Sequence, residues 1–252
     1  MEKKNVGGGF NNKTTTLKED YFDSAVEYAK KSLFYKIKSR LFSKELVNEK
    51  NNEFLKEKFN QRWSWFKGCN KVLDAGCGEG PFIKHNPYKI EVWGIDYSKK
   101  NIDKLKMEGY NVKISDLSKK IPFNDSSFDG VALYHVLEHF FEPSKVVSEI
   151  KRVLKDGGTL VVSVPAYHFK NFYGDYTHKK PYPKVALFRL FSDYGFYDIK
   201  IYKGIAYSRI NRALFLFPKT RFFMEKALGK LLPNEVTMVA KNRKKSKVSE
   251  KE

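Results

Sequence analysis

Between Lys71 and Phe82 the chain reads KVLDAGCGEGPF. An apolar run ends in an acid, glycines follow at every second position (Gly76, Gly78 and Gly80), and a proline comes directly after. This is the signature of a buried strand that turns tightly into a helix. Pro81 fits a first helical turn, where its missing N–H costs little. The glycines have a steric use: a Cβ at Gly76 or Gly78 keeps a ligand away from the backbone, and glycine accepts the positive φ of a tight turn.

The same texture continues for another hundred residues or so, with β-branched runs alternating with helical segments. EVWGID reads as a second strand, SKKNIDKLKMEGY as a helix capped by Ser98 and closed near Gly109, and NVKISD as a third strand. SFDGVALYHV is apolar enough to be a strand buried on both faces. Pro143 opens the helix PSKVVSEIKRVL, expected to end at Asp156-Gly157-Gly158, and TLVVSVP is a fifth strand. Such alternation predicts an α/β fold, a doubly wound, mostly parallel sheet with right-handed crossovers. Further on, PKVALFRLFSDYGF reads as a helix, and FYDIKIYK and EVTMVAKN as strands. The expected organisation is a flexible arm (1–20), a helical cap (21–68), the α/β domain (69–241) with a helical insertion (204–233), and a basic tail (242–252).

In such sheets ligands sit beyond the C-terminal ends of the strands, so the glycines lie in the ligand crevice. Spacing separates two candidate ligands. A dinucleotide loop reads G-x-G-x-x-G and aims a helix N-terminus at a pyrophosphate. Here the third glycine of that pattern is replaced by Pro81, and Glu79 adds negative charge where the diphosphate would lie. A cofactor with a positive centre suits a loop flanked by Asp74 and Glu79 better.

VLDAGCGEG followed by GIDYS, a third strand ending in SD, and FDGVALYHVLEHF with EIKRVLKDGGTLVVSVP resembles the class I S-adenosylmethionine-dependent methyltransferases. The nearest likeness is to type 11, a group that includes small-molecule, quinone, lipid and sugar methyltransferases. The resemblance covers roughly Asn70 to Pro165 and implies a Rossmann-like fold with S-adenosylmethionine as cofactor. DYTHKKPYPKVALFRLFSDYGF is similar to a weaker segment of the same group. By this resemblance Asp74, Ala75, Gly76, Cys77 and Gly78 line the methionine half of the cofactor, and Asp96 accepts from both ribose hydroxyls. Tyr97 packs on the adenine, Asp116 and Leu117 receive its amino group and ring edge, and Tyr134 and His135 flank the sulfonium.

Methyl transfer from a sulfonium is an in-line displacement that relies on placement and desolvation. A hydroxyl or an acidic carbon also needs a base, for which histidine is the natural candidate. His139 and His178 rank first and His135 next; His135 and His139, four residues apart, are placed to share one helix face. His168 joins His178 in a segment suited to a lid, and His85 reads as structural. No Asn/Asp-Pro-Pro-Tyr/Phe and no Pro-Cys follows the fourth strand, which favours an oxygen or carbon acceptor. No metal-ligating constellation is evident there.

Two cysteines, Cys69 and Cys77, suggest neither a disulfide framework nor a zinc site. With no secretory signal at the N-terminus and no run approaching the ~20 apolar residues of a spanning helix, a cytoplasmic location is expected. The net charge is +19, and from Lys200 onward fourteen Lys/Arg face four acids. That excess favours anionic partners. Gly204 to Pro233 alternates arginine and lysine with leucine and phenylalanine, so it suits a lid or membrane-interface patch for a greasy acceptor, or ordinary packing. RNA methylation and a non-catalytic cofactor-binding subunit are the alternatives, with no nucleic-acid module in view.

Overall fold

A computed structural model of the chain describes residues 56, 58–166, 172–203 and 235–243. The chain divides into two compact units, 1–57 and 58–252, and every strand of the described residues belongs to the second. The expected arm, residues 21–55 and 57 of the cap, His168, the 204–233 insertion and most of the tail lie outside the described residues.

The chain enters the unit through a helix, α1 (58–64). Strand β1 (Lys71–Ala75) leads through the glycine turn into α2 (Pro81–Lys84), then β2 (Glu91–Asp96), α3 (Lys99–Met107) and β3 (Val112–Ile114). Strand β4 (Phe128–Tyr134) passes through a 3-10 turn (Leu137–His139) to α4 (Ser144–Val153). Next come β5 (Leu154–Pro165), α5 (Lys184–Asp193), β6 (Phe196–Lys203) and β7 (Glu235–Asn242). Ser98 caps α3 as its sequence predicts, its hydroxyl accepting from the Asn101 N–H.

The seven strands lie in the order β3-β2-β1-β4-β5-β7-β6. Pairing is parallel from β3 through β5, while β7 runs antiparallel to both its neighbours. The mostly parallel, doubly wound sheet is therefore as expected. Strand order reverses between β1 and β4, so the C-terminal ends of these two strands border the crevice of the fold.

Both faces of the sheet are covered, which is why β1, β4 and β5 read as near-continuous apolar runs. Leu73, Val131, Leu133, Leu160 and Val162 point to one face and pack with α4 and α5 through Val146, Ile150, Leu187 and Phe191. Their strand neighbours Val72, Ala132 and Val161 point to the other and meet Phe59, Trp63, Phe66 and Phe82. Trp63 stacks on Phe82 at 4.1 Å and donates its indole N–H to the Phe82 carbonyl at 2.9 Å. Residues 59–66, grouped with the cap in sequence, thus complete the sheet's core.

Two boundaries differ from expectation. Helix α4 stops at Val153, ahead of the Asp-Gly-Gly, because Leu154 is already paired with Phe128; pairing then skips to Gly130–Thr159. Asn242, which the sequence places both at the end of EVTMVAKN and at the start of the tail, is fully buried and ends β7. Its amide donates to the carbonyls of Lys151 (3.2 Å), Leu154 (3.0 Å) and Lys155 (3.1 Å), which fastens β7 to the α4–β5 junction.

Arg152 closes the same end of the sheet. It donates to the carbonyls of Phe123 (2.8 Å) and Ile121 (2.9 Å) and pairs with Asp125 and Glu149 (2.8 and 2.7 Å). Glu149 in turn accepts the Ile121 N–H at 2.7 Å. Lysine cannot reproduce this fork of donors. Arg152→Lys is expected to cost about 2 kcal/mol in urea unfolding, for two lost carbonyl bonds, and to leave adenosylhomocysteine affinity unchanged. Among the described residues no helix is long and apolar enough to cross a membrane.

Candidate functional site

The glycine turn shows why its side chains are missing. Gly76, Gly78 and Gly80 all take positive φ, +83°, +53° and +75°. A Cβ on Gly76 would lie 2.4 Å from Val136, just past β4, so here glycine lets the turn approach the neighbouring strand's exit. At Gly78 a Cβ would meet nothing within 4 Å, so that side of the turn is open. The N–H groups of the turn face inward. Gly76 and Cys77 donate to the Ile95 carbonyl (2.8 and 3.0 Å), and Gly78 donates to Asp96 Oδ2 at 2.8 Å. An anion cradle needs these donors turned outward. The turn is unsuited to a diphosphate.

Acids dominate the rim. Asp96 ends β2 and is nearly buried, its second oxygen accepting the Ser98 N–H at 2.9 Å. Burial raises its pKa, and the backbone donors of Ser98, Gly78 and Tyr97 offset part of that rise. Asp74, in β1, is 3% exposed, and burial pushes its carboxyl up to about 7, with Arg62 opposing and Asp96 adding to the effect. A buried acid poised this way gains from a cation placed beside it.

The other residues expected to hold a cofactor fall around the same strand ends. Ala75 is the buried last residue of β1. The Cys77 side chain packs with Ile83, Ile102, Leu105 and Val112, and burial pushes its thiol far above the ordinary range, so the thiol is closed to a ligand. Tyr97 is half exposed, its ring at the surface instead of in the core. The Ser115 N–H donates to the Asp96 carbonyl at 2.9 Å, which brings Asp116 beside the end of β2. Burial works against the Asp116 carboxylate, but the Ser118 N–H (2.9 Å) and hydroxyl (2.7 Å) keep its pKa below the ordinary value. The Leu117 side chain lies in the main core. Tyr134 ends β4 with the Arg62 guanidinium 4.2 Å above its ring, and burial raises its phenol pKa.

The histidines past β4 separate instead of sharing a helix face. His135 takes a left-handed backbone (φ +55°), and only the single 3-10 turn Leu137–His139 follows. His135 turns to Glu235, at 2.9 Å from its Nε2, and its Nδ1 stands 3.6 Å from Glu138. Desolvation disfavours its charge, but the two carboxylates prevail and raise its pKa. Glu235 also pairs with Arg62 at 3.1 Å; although burial opposes it, His135, Arg62 and Lys58 hold its carboxyl far below the usual range. His139 instead meets His178, with ring centroids 5.0 Å apart, and burial lowers the His139 pKa. His85 stacks on Phe59 at 4.8 Å with Nδ1 2.8 Å from the Pro81 carbonyl, a structural role. Three residues here were not singled out from sequence: Arg62, Glu138 and Glu235.

The strand order and the glycine turn at the switch point place the chain in the class of doubly wound α/β folds, with a turn whose inward donors and acidic rim suit a cationic centre better than a diphosphate. The family model described as "Methyltransferase domain" matches residues 73–162. Over that stretch the chain is similar to the class I S-adenosylmethionine-dependent methyltransferases of type 11, and S-adenosylmethionine is the cofactor of that class. It is 31% identical over 138 residues to a ubiquinone/menaquinone biosynthesis C-methyltransferase, UbiE, of Desulfotalea psychrophila, covering 46% of this chain and 56% of that protein. It is 32% identical over 103 residues to a probable tRNA methyltransferase 9B of Mus musculus, covering 40% and 23%. Among solved structures it is similar to a SAM-dependent methyltransferase from Archaeoglobus fulgidus, with TM-score 0.56, 27% identity, and 79% and 100% of the two chains covered. The chain spans about half or less of the length of the first curated relatives it matches.

Proposed function

We propose that the chain transfers a methyl group from S-adenosylmethionine to an oxygen or carbon acceptor of a small, lipid-linked or glycan substrate. The observation that carries this reading is the glycine turn: its N–H groups face inward, Asp96 ties it down, and Asp74 waits beside it as a buried acid pushed up to about 7. When bound, S-adenosylmethionine supplies a methyl group on a sulfonium. Asp96 keeps lone pairs for the ribose hydroxyls, the open flank of Gly78 admits the methionine half, and Tyr97 offers a face to the base. Tyr134 and Phe82, with ring centroids 5.2 Å apart, help keep water from the β4 exit.

The acceptor class is supported by what gathers at that exit. His135, Glu138, His139, His178 and Glu235 form a group suited to handling an acceptor proton or oxygen, and the segment lacks the Asn/Asp-Pro-Pro-Tyr/Phe of base-amine methylation. The basic and apolar residues between Gly204 and Pro233 favour a greasy acceptor and an anionic membrane surface as partner. The decisive experiment incubates the purified chain and labelled S-adenosylmethionine with separate lipid, glycan, small-metabolite and RNA extracts of its source. Label is expected in one of the first three fractions. Label confined to RNA overturns the acceptor class.

A further inference from the structure

We propose that Glu138, His139 and His178 bind a divalent first-row transition cation of the zinc or ferrous class. One ligand atom from each of these three side chains lies within 4.8 Å of the others. They come from two separate segments, the 3-10 turn after β4 and the loop ahead of α5, so the grouping is a product of the fold.

Glu138 is fully buried, and neither of its carboxylate oxygens has a hydrogen-bond partner among the described residues. A buried acid in that state is costly unless a cation or a proton serves it. The imidazoles around it stand at distances too long for hydrogen bonds, His135 Nδ1 at 3.6 Å and His178 Nε2 at 3.9 Å from Oε1, and the Tyr182 phenol, its pKa raised by burial and by the Glu138 charge, is also a neighbour. His135 is engaged by Glu235 at 2.9 Å, which leaves the other two rings to the Glu138 site.

Hydrogen bonds behind the two rings occupy Nδ1 of each and leave Nε2 as the nitrogen to bind a cation. His178 Nδ1 lies 2.7 Å from the Phe172 carbonyl, which can only accept, so Nδ1 carries a hydrogen and, in the neutral ring, Nε2 keeps the lone pair. In that ring state the lone pair stands opposite Glu138 Oε1 across 3.9 Å, a separation that a cation between the two atoms would bridge. His139 repeats the arrangement. Thr177 donates its hydroxyl to Asp175 Oδ1 at 2.7 Å, so the hydroxyl accepts from His139 Nδ1 at 3.1 Å, with the Thr177 carbonyl also near at 3.3 Å. Nε2 of His139 then carries a lone pair. Imidazoles oriented from behind by backbone and hydroxyl oxygens, together with one carboxylate, are the pattern of a metal site. Asp175 Oδ2, 3.8 Å from His178 Nε2, extends the negative field.

Ligand atoms around a metal with bonds of ~2.0–2.2 Å stand a little over 3 Å apart, so a small inward closure completes the site. Two imidazoles and a carboxylate favour zinc, cobalt, iron or manganese over calcium and magnesium, and three protein ligands leave positions open for an acceptor oxygen. The site lies past the end of β4 and rests on the methyltransferase reading only for that last use; cation binding itself does not depend on it.

The test uses the full-length chain, stripped with chelator, without any methyl donor. Titration with ZnCl2 is expected to give one tight equivalent and a rise in Tm, and Co2+ to give visible absorption typical of mixed nitrogen and oxygen ligands. Glu138→Gln keeps the shape of the side chain and is expected to weaken Zn2+ about a hundredfold, the upper end of what losing even an outer partner costs, and to remove the Tm rise. His85→Ala is expected to leave the Zn2+ affinity and the size of the Zn2+-dependent Tm rise unchanged, whatever it does to the metal-free Tm. No Zn2+ uptake by the wild-type chain overturns the proposal. So does uptake that Glu138→Gln and the double change His139→Ala, His178→Ala leave intact in chains shown by circular dichroism to be folded.

Discussion

Asp96→Ala is expected to lower the affinity for S-adenosylhomocysteine by about a hundredfold, since a hydrogen bond to a charged group is worth ~1.5–3 kcal/mol. The same change is expected to destabilise the unliganded chain by about 2 kcal/mol, the penalty for leaving buried donors unmatched. Both effects come from one carboxylate. Its two oxygens hold the Gly78 N–H at 2.8 Å and the Ser98 N–H at 2.9 Å, which stitches the glycine turn to the start of α3. Removing it leaves the backbone donors of Gly78, Ser98 and Tyr97 without that partner in a nearly closed site, and the turn loses its anchor. Asp96→Asn retains one acceptor and is expected to fall between wild type and alanine in both measurements. Titration calorimetry and thermal unfolding read the two effects separately. Wild-type affinity in the alanine variant contradicts the assigned ribose contact.

Asp74→Asn is expected to act in opposite directions on stability and on binding. The folded chain holds the Asp74 proton up to about pH 7, whereas an unfolded chain releases it near 3.8. The native state therefore binds more protons across that window, so this group makes stability fall as pH rises from about 4 to about 7 and adds nothing further above it. Asparagine does not titrate. The variant is expected to match wild type near pH 4 and to gain progressively, by about 4 kcal/mol at most, toward pH 7 and beyond. Ligand binding moves the other way. A sulfonium and an ammonium beside Asp74 favour its ionised form, so at pH 6 wild-type binding of S-adenosylmethionine releases a proton, seen as an enthalpy that depends on the buffer. The variant is expected to bind more weakly and without that release. Equal stability curves for the two chains from pH 4 to pH 8 dispose of the idea.

Much of the sheet was legible in sequence because its signals are local. Strands β2, β6 and β7 fall where EVWGID, FYDIKIYK and EVTMVAKN place them, and Ser98 caps α3 with its own hydroxyl. Strand direction is not local: alternation in EVTMVAKN is the same whichever way it runs, so the antiparallel seat of β7 between β5 and β6 was hidden. The end of α4 was misplaced because a tertiary pairing, Leu154 to Phe128, overrides the glycine stop a few residues on. At the site, the glycine turn could be read residue by residue, since glycine types report backbone needs directly. Arg62 could not, for a cation on an amphipathic helix looks the same whether it faces water or the Tyr134 ring. Glu138 did carry a signal: an acid between Leu137 and His139 in an otherwise apolar strand exit. His135 and His139 part company because a left-handed residue stands where helical spacing was expected.

The reversed course of β7 has a consequence for how the chain is assembled. Pairing Glu235 with Pro165 places the first residue of β7, not its last, at the carboxyl edge of the sheet. Had the strand run with its neighbours, Asn242 would occupy that edge and the acid would sit at the far side. Antiparallel entry thus lets the 204–234 stretch change in length or composition while the partner of His135 and Arg62 stays in register. Variation in that stretch of sequence is uncoupled from the ion pairs at the carboxyl edge of the sheet.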